Sequence, residues 1–218
     1  MNGVKHFSEN LLGTDYVCGD IHGYFDKLEE ELALIGFDES KDRLFSTGDL
    51  VDRGPQSVDS LDWLAKPWFH SVRGNHEQMA IDYVEGYSDS YYEYNGGQWM
   101  IDLPKSHGKM FAQVFRDLPI AIDIRVGDKL YGIVHAECPT KSWLELEEVF
   151  GARHQDGFIN SAMWGRDKFN SGNRAIINDV ELVYVGHTPL KEITVLGNVI
   201  YIDTGACFGG KLTILEVY

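Results

Sequence analysis

The chain has little positive charge. Its 218 residues include 19 Lys and Arg against 34 Asp and Glu, which gives a formal net charge of −15. Nucleic acids and anionic membrane surfaces are held mainly by Lys and Arg that neutralise phosphates. The composition therefore argues against both as partners, and a phosphate ligand would need local cations to reverse the surrounding field.

Cysteine, long apolar runs and linker sequences are also scarce. Three scattered cysteines are an odd number and make no disulfide framework, which is typical of a reducing compartment. No apolar run approaches the roughly 18 residues of a membrane span, and residues 1–10 lack the apolar stretch of a signal peptide. No Pro/Ser-rich linker or repeat interrupts a chain that is 44% hydrophobic. We expect a cytoplasmic protein with a single domain over residues 1–218.

Short apolar and β-branched segments alternate with amphipathic ones. Apolar residues recur at helical spacing in three segments. The first covers residues 25–35 and is followed by Gly36, the second follows Ser57, and the third covers residues 111–118 and is followed by Pro119. Tight turns at 127–128 and 197–198 indicate hairpins in the second half. The pattern predicts an α/β fold with a parallel or mixed sheet. The predicted strands are 15–18, 43–46, 69–72, 120–126, 130–134, 182–185, 199–202 and 212–217.

Several predicted strands run directly into loops that carry metal-capable side chains. Ligand sites in α/β sheets lie outside the carboxyl ends of strands, so these loops can converge on one edge. A lone Asp-X-His or strand-end histidine is more often structural, but repetition of one pattern along the chain favours a site. Nitrogen and oxygen donors without cysteine suit two divalent ions such as Mn, Fe or Zn. The residues in question are Asp20, His22, Asp49, Asn75, His76, His135 and His187.

Three motifs carry a family resemblance. Gly19-Asp20-Ile21-His22-Gly23, Gly48-Asp49-Leu50-Val51-Asp52-Arg53-Gly54 and Gly74-Asn75-His76-Glu77 resemble the signature of the metallophosphoesterases, specifically the protein serine/threonine phosphatases. The similarity extends through residues 185–189 to 201–206 and so covers nearly the whole chain. It implies an α/β fold of the calcineurin-like type, a β-sandwich of two mixed sheets flanked by helices, with a dinuclear site at one edge.

The resemblance also implies a metal ligand set. Two metals lower the pKa of a bridging water, and the resulting hydroxide attacks phosphorus in line without a phosphoenzyme. Manganese is the ion we expect, with iron or zinc as alternatives. The implied ligands are Asp20 and His22 for the first metal, Asp49 as the bridge, and Asn75, His135 and His187 for the second.

The remaining motif residues acquire roles from the same resemblance. Arg53 and Arg166 are the implied phosphate clamps, since guanidinium groups make paired hydrogen bonds to phosphate oxygens, and Asn75 is a further substrate contact. His76 is the implied general acid, which Asp52 orients and keeps cationic. These assignments predict the catalytic set of His76, Asp52, Arg53 and Arg166.

Two parts of the chain match the family less closely. Over residues 137–172 the comparison is weakest, and Arg153 or Arg174 could be confused with Arg166. Glu137 departs from the His-Ala-Asp pattern of the phage-type branch and receives no catalytic role, because a position behind the ligands and a surface position are equally plausible. The aromatics of residues 83–99 could form a binding surface, but we expect them to pack.

The sequence lacks the motifs of two other phosphate-binding mechanisms. A cysteine-based phosphatase needs Arg six positions after Cys, and those positions hold Tyr24, Leu144 and Thr213. Residues 205–212 resemble the phosphate-binding loop of nucleotide hydrolases, but Leu212 stands where that motif has the magnesium-binding Ser or Thr. A predicted strand follows, where the motif needs a helix. Both mechanisms are excluded.

The sequence favours a manganese-dependent phosphomonoesterase acting on phosphoserine, phosphothreonine and also phosphotyrosine proteins. One alternative is a symmetrical dinucleoside tetraphosphate hydrolase. Those enzymes share the early motifs but lack the acid at Asp52 and carry Asp in place of Glu77. The other alternative is a catalytically silent metal-binding scaffold. Loss of a ligand or of the Asp52–His76 pair would support it, but the sequence retains these residues.

Overall fold

The computed structural model describes residues 3–87 and 89–218 and contains two mixed β-sheets. The six-stranded sheet has the order β1-β5-β6-β7-β9-β8, and the four-stranded sheet has the order β10-β2-β3-β4. Strands β2, β3 and β4 run parallel, as do β6, β7 and β9. The strands are β1 (Val4–Phe7), β2 (Asp15–Cys18), β3 (Arg43–Ser46), β4 (Phe69–Ser71), β5 (Ala121–Val126), β6 (Lys129–Val134), β7 (Leu182–Val185), β8 (Thr194–Leu196), β9 (Val199–Tyr201) and β10 (Ile214–Val217).

Helices cover the outer faces of both sheets. None of them, within the described parts of the chain, is long and apolar enough to cross a membrane. Short 3-10 turns occupy Ser57–Asp59, Trp143–Glu145 and Ala206–Phe208, and a π turn occupies Glu93–Gly97. The α-helices are α1 (Phe25–Ile35), α2 (Ser60–Leu64), α3 (Asn75–Glu85), α4 (Asp89–Tyr92), α5 (Gln98–Ile101), α6 (Lys105–Asp117), α7 (Leu146–Gly151), α8 (Asp156–Trp164) and α9 (Asp167–Asn170).

The two sheets face each other across one apolar layer. Val17 and Phe45 from the small sheet meet Ile122 and Ile133 from the large sheet in this layer. Because side chains alternate along a strand, the other faces of the sheets pack against helices. Helices α1 to α6 cover the small sheet, while α7 and α8 cover the large one. The predicted α/β sandwich of two mixed sheets flanked by helices is confirmed.

The eight predicted strands are present, but β1 and β8 were not predicted. Each of them lies at an edge of the large sheet and pairs with one neighbour, so its sequence carries little burial signal. The predicted turns join β5 to β6 and β8 to β9. The helix expected behind Ser57 is a 3-10 turn followed by α2, in which Val58 is 45% exposed and Trp63 is buried.

Arg73 is a buried cation that the sequence analysis did not single out. It is 2% exposed, and its guanidinium donates to the backbone carbonyls of Phe115, Arg116 and Leu118 and to the side chain of Gln78. These carbonyls lie at the end of α6, where the last turn of a helix has no internal donors. Burial lowers the pKa of Arg73.

We expect Arg73→Met to destabilise the fold. Methionine keeps the apolar stem but removes the guanidinium donors from the carbonyls at the end of α6, which should lower the free energy of unfolding by about 3 kcal/mol. Urea unfolding followed by circular dichroism measures the change. Gln113→Met, on the exposed face of the same helix, is the matched control and should stay within about 0.5 kcal/mol of the parent. Equal midpoints for the two variants would contradict the structural role of Arg73.

Candidate metal centre and active site

The loops after five strands meet at one edge of the sandwich. The loop after β3 contacts the loop after β6: Nδ1 of His135, directly after β6, donates to the carbonyl of Thr47, directly after β3, at 2.8 Å. The backbone approaches closely where glycine stands beside a ligand. A Cβ on Gly74 would lie 2.2 Å from Asp49 Oδ1, and one on Gly186 would lie 2.2 Å from Asp20 Oδ1. The six implied ligands therefore lie at one place, namely Asp20, His22, Asp49, Asn75, His135 and His187.

The backbone of these loops is strained. Left-handed φ angles cost non-glycine residues about 1–3 kcal/mol each, and they cluster at functional sites. In residues 3–87 and 89–218, Asp179 is the one residue other than glycine that has a positive φ and lies outside the candidate site. The others are His22 (49°), Asp49 (53°), Asp52 (71°), Arg53 (69°) and His187 (66°).

Two groups of metal-capable side chains share one member. The donor atoms of His22, Asp49 and His76 lie within 4.8 Å of one another, and so do those of Asp49, His135 and His187. Asp49 belongs to both groups. Its Oδ2 lies 3.8 Å from Nε2 of His22 and 3.4 Å from Nε2 of His135, so Asp49 would contribute to both ion sites.

Two of the imidazoles are oriented as metal ligands usually are. The Nδ1 of His22 donates to the carbonyl of Val51 at 2.9 Å, and that of His135 donates to Thr47. This hydrogen bond fixes the tautomer and leaves the Nε2 lone pair facing the group of donors. Burial holds the pKa of His22 well below its usual range, so this ring is neutral.

The second group brings lone pairs together. Asn75 Oδ1 lies 2.8 Å from His135 Nε2 and 2.8 Å from His187 Nδ1, and the two ring nitrogens are 3.2 Å apart. Burial and the neighbouring His135 lower the pKa of His187 to about 3. Only a proton or a metal ion among these atoms removes their repulsion. Among the described residues, the buried Nε2 of His187 has no hydrogen-bond partner.

Buried carboxylates add negative charge to the same place. Asp20, Asp49 and Asp203 are each at most 4% exposed. Burial and the carboxylates of Asp203 and Asp49 raise the pKa of Asp20 well above its usual range. Burial alone would also raise the pKa of Asp49, but His135 and His76 outweigh it and hold that pKa low. A buried cluster of carboxylates and imidazoles with nitrogen and oxygen donors fits divalent cations.

Asp203 was missed by the sequence analysis. Its Oδ1 accepts a hydrogen bond from the backbone of Gly205 at 2.9 Å, and burial raises its pKa. The signal was present, because Asp203 follows β9 as Asp20 follows β2.

His76 lies between the metal cluster and a buried acid. Its Nδ1 is 2.6 Å from Asp52 Oδ2, and its Nε2 is 3.9 Å from Asp49 Oδ2. Asp52 is completely buried. The ring therefore presents Nε2 to the centre of the site while Asp52 holds the opposite nitrogen.

Glu77 joins the second motif to the third. It is completely buried, and its carboxylate accepts hydrogen bonds from the backbone of Gly74 (2.8 Å), Asp49 (2.9 Å) and Leu50 (2.7 Å). Burial and the neighbouring Asp49 raise the pKa of Glu77 to about 7. Glu77 thus fixes the backbone of Asp49 to the start of α3. The sequence alone does not predict this role.

Both predicted arginine clamps lie at the site. Nη1 of Arg53 donates to Nε2 of His22 at 2.6 Å, and its guanidinium lies 5.3 Å from the ring centroid of Phe208. Nη2 of Arg166 donates to the carbonyl of His187 at 2.9 Å. Both side chains are exposed and so remain accessible to a ligand.

Glu137 lies behind the site and not on the surface. It is 5% exposed and accepts a hydrogen bond at 2.5 Å from the backbone of Lys168, in the first turn of α9. Burial raises its pKa. Because α9 begins directly after Arg166, Glu137 anchors the segment that carries this arginine.

The aromatics of residues 83–99 divide into two sets, and Ser88 lies outside the described residues. Tyr87, Tyr91 and Tyr94 are 65%, 51% and 88% exposed, so the packing interpretation is wrong for them. Tyr92 is buried, and with Trp99 it donates to Asp52.

The chain belongs to the calcineurin-like phosphoesterase family, which matches residues 16–191. It is therefore a metal-dependent phosphoesterase. "Serine/threonine-protein phosphatase 1" of Salmonella typhimurium is 35% identical over 205 residues, which are 93% of this chain and 91% of that protein. A symmetrical bis(5'-nucleosyl)-tetraphosphatase of Serratia proteamaculans is 43% identical over 77 residues, 34% of this chain and 27% of that protein. The crystal structure of a putative diadenosine tetraphosphatase shares the fold, with TM-score 0.68 and 20% identity over 100% of this chain and 98% of that one.

Proposed function

We propose that this chain removes phosphate from phosphoserine and phosphothreonine in proteins, and also from phosphotyrosine. The observation that carries the proposal is Asp49, shared by two groups of metal donors that lie beside the His76–Asp52 pair. A relative named as a serine/threonine-protein phosphatase and matching 93% of this chain supports the protein substrate.

The proposed ions are two divalent metals, with Mn²⁺ preferred and Fe or Zn acceptable to the same donors. When bound, they supply an activated water and polarise the phosphate oxygens. We also propose a cytoplasmic location, since the three cysteines are free thiols. The holding residues would be Asp20 and His22 for one ion, Asp49 for both, and Asn75, His135 and His187 for the other.

The chain's own cations would bind the phosphate. The guanidinium groups of Arg53 and Arg166 can each donate two parallel hydrogen bonds to phosphate oxygens. Asn75 directs its carbonyl oxygen at two imidazoles, which leaves its amide nitrogen as a donor to the substrate. The two guanidinium groups would neutralise the phosphate, and all three side chains would orient it against the acidic surroundings of the site.

His76 would protonate the leaving oxygen. Its Nδ1 is held by Asp52, and its Nε2 faces the site, so a proton on Nε2 can pass to the departing serine or threonine oxygen. The buried carboxylate of Asp52 would fix the orientation of the ring for this role.

An open groove beside the site supports a peptide substrate. Its volume is about 850 Å³, and its lining includes Pro189, two residues after His187, and Phe208, whose ring centroid lies 5.3 Å from the guanidinium of Arg53. An extended chain on either side of a phosphorylated residue needs such a surface, whereas a small phosphate does not. The groove is lined by apolar, polar and charged side chains that include Leu190, Ile193, Phe208, Thr204, Lys191, Lys211 and Glu192.

Dinucleoside tetraphosphate hydrolysis is the second candidate. The relative named as a symmetrical tetraphosphatase supports it, although it matches 34% of this chain. The resemblance of the motifs favours the protein phosphatases, since the Asp52–His76 pair and Glu77 match their pattern and not that of the tetraphosphatases.

The test compares metal-stripped protein with and without Mn²⁺ on a phosphoserine peptide, a phosphotyrosine peptide and diadenosine tetraphosphate. We expect Mn²⁺-dependent phosphate release from both peptides and little cleavage of the nucleotide. Asp49→Asn, purified in parallel, controls for contaminating phosphatases. Preferential cleavage of the nucleotide would replace the proposal with the second candidate, and silence on all three with two ions bound would indicate a scaffold.

A further inference from the structure

Asp52 is bound by more donors than its pairing with His76 requires. Its Oδ2 accepts from His76 Nδ1 at 2.6 Å, while its Oδ1 accepts from the Tyr92 hydroxyl at 3.0 Å and from the Trp99 indole N–H at 2.6 Å. The backbone N–H of Asp52 donates to Ser57 Oγ at 2.9 Å. Both carboxylate oxygens therefore have a fixed direction.

The two added donors come from a segment outside the metal-binding loops. Residues 89–101 form α4, the π turn and α5, and they cross over the second motif. A Cβ on Gly96, whose φ is 101°, would lie 2.5 Å from the backbone nitrogen of Arg53. The segment thus rests directly on the residue that follows Asp52.

Each donor ring is held by a different helix. The Tyr92 ring stacks on Tyr83 of α3 with centroids 5.4 Å apart. The Trp99 ring meets the edge of Phe111 of α6 at 5.0 Å. Two rigid helices therefore determine where the hydroxyl and the indole N–H point.

Both groups donate to the carboxylate of Asp52. Burial and the neighbouring Asp52 raise the pKa of Tyr92 far above its usual range, so the hydroxyl keeps its proton. An indole N–H cannot accept a hydrogen bond. Two donors on one oxygen restrict the rotation of the carboxylate, which directs the other oxygen at His76.

We propose that Tyr92 and Trp99 are positioning residues that hold Asp52 and, through it, set the orientation of His76 for proton transfer to the leaving group. The inference rests on the proposed phosphomonoesterase function. It gives residues 89–101 a part in catalysis that is separate from binding metal or phosphate.

The kinetic test uses two phosphomonoesters that differ in their need for a proton. p-Nitrophenolate leaves without protonation, whereas the alkoxide of a phosphoserine peptide requires it. For Tyr92→Phe and for Trp99→Phe we expect kcat on the peptide to fall about tenfold, with KM and the rate on p-nitrophenyl phosphate within about twofold of the parent. Tyr83→Phe is the matched control, since its ring packs on Tyr92 and, within the described residues, its hydroxyl has no hydrogen-bond partner.

Two kinetic results would overturn the inference. Equal losses on both substrates would indicate general damage to the site, and unchanged rates on both would show that Asp52 needs neither donor. Tyr92→Phe keeps the ring and its packing, so it guards against a folding defect in Trp99→Phe.

A second measurement does not depend on turnover. In protein loaded with diamagnetic Zn²⁺, the Nδ1 proton of His76 should give a downfield nuclear magnetic resonance signal, identified by its absence in His76→Asn. We expect this signal to move upfield or exchange away in the Tyr92→Phe, Trp99→Phe double variant and to persist in Tyr83→Phe. An unchanged signal in the double variant would overturn the inference. A parent that hydrolyses no phosphomonoester would sink the proposed function while leaving this readout intact.

Discussion

Asp49→Asn is expected to abolish phosphate release, with a loss of at least about a thousandfold in kcat/KM. Asp49 is the one residue common to both groups of donors, and His135 and His76 hold its pKa low, so it is an anion at neutral pH. Asparagine offers one neutral oxygen in place of a bridging carboxylate. Loss of several kcal/mol of charge stabilisation at a two-metal site corresponds to this fall in rate.

Elemental analysis after gel filtration measures the accompanying loss of both metals. Asp128→Asn makes the same chemical change in an exposed turn and is the matched control, which should keep the parent's metal content and rate. An Asp49→Asn protein that retained two ions and most of its activity would show that the bridging assignment is wrong.

His76→Asn is expected to lower kcat on a phosphoserine peptide by about 10²–10⁴-fold while both metals stay bound. This is the usual contribution of a general acid. The Nδ1 of His76 is engaged by Asp52, and its Nε2 is 3.9 Å from Asp49, so the ring can donate a proton into the site.

Metal content separates this role from an alternative that the geometry raises. His76 shares the first donor group with His22 and Asp49, and a ligand at this position would lose its ion on substitution. His107→Asn, exposed on α6, controls for the loss of an imidazole. A variant that lost one metal would make His76 a ligand, and full turnover on the peptide would remove it from the mechanism.

Local patterns were enough to predict most of the fold. Runs of apolar and β-branched residues predict buried strands such as β2 and β7. The polar residues directly after these strands predict the edge of the sandwich at which the candidate metal ligands lie. Edge strands β1 and β8 do not, because pairing with one neighbour leaves their side chains partly exposed. Their positions follow from the assembled sheet.

The supporting contacts of the site could not be predicted from spacing. Tyr92 and Trp99 reach Asp52 across 40 and 47 residues of chain, and that contact depends on how α3 and α6 pack. Glu77 stood in a predicted motif, but its three backbone partners become visible only when β3 and α3 are placed together. Glu137 likewise needed the position of α9 before its two alternatives could be separated.

The most direct measurement is a titration of metal-stripped protein with Mn²⁺ in which bound ions and phosphate release are recorded on the same samples. Two ions bound per chain, with activity reaching its maximum only as the second site fills, is the expected result. Full activity without metal, or with one ion bound, would contradict a dinuclear centre built around Asp49.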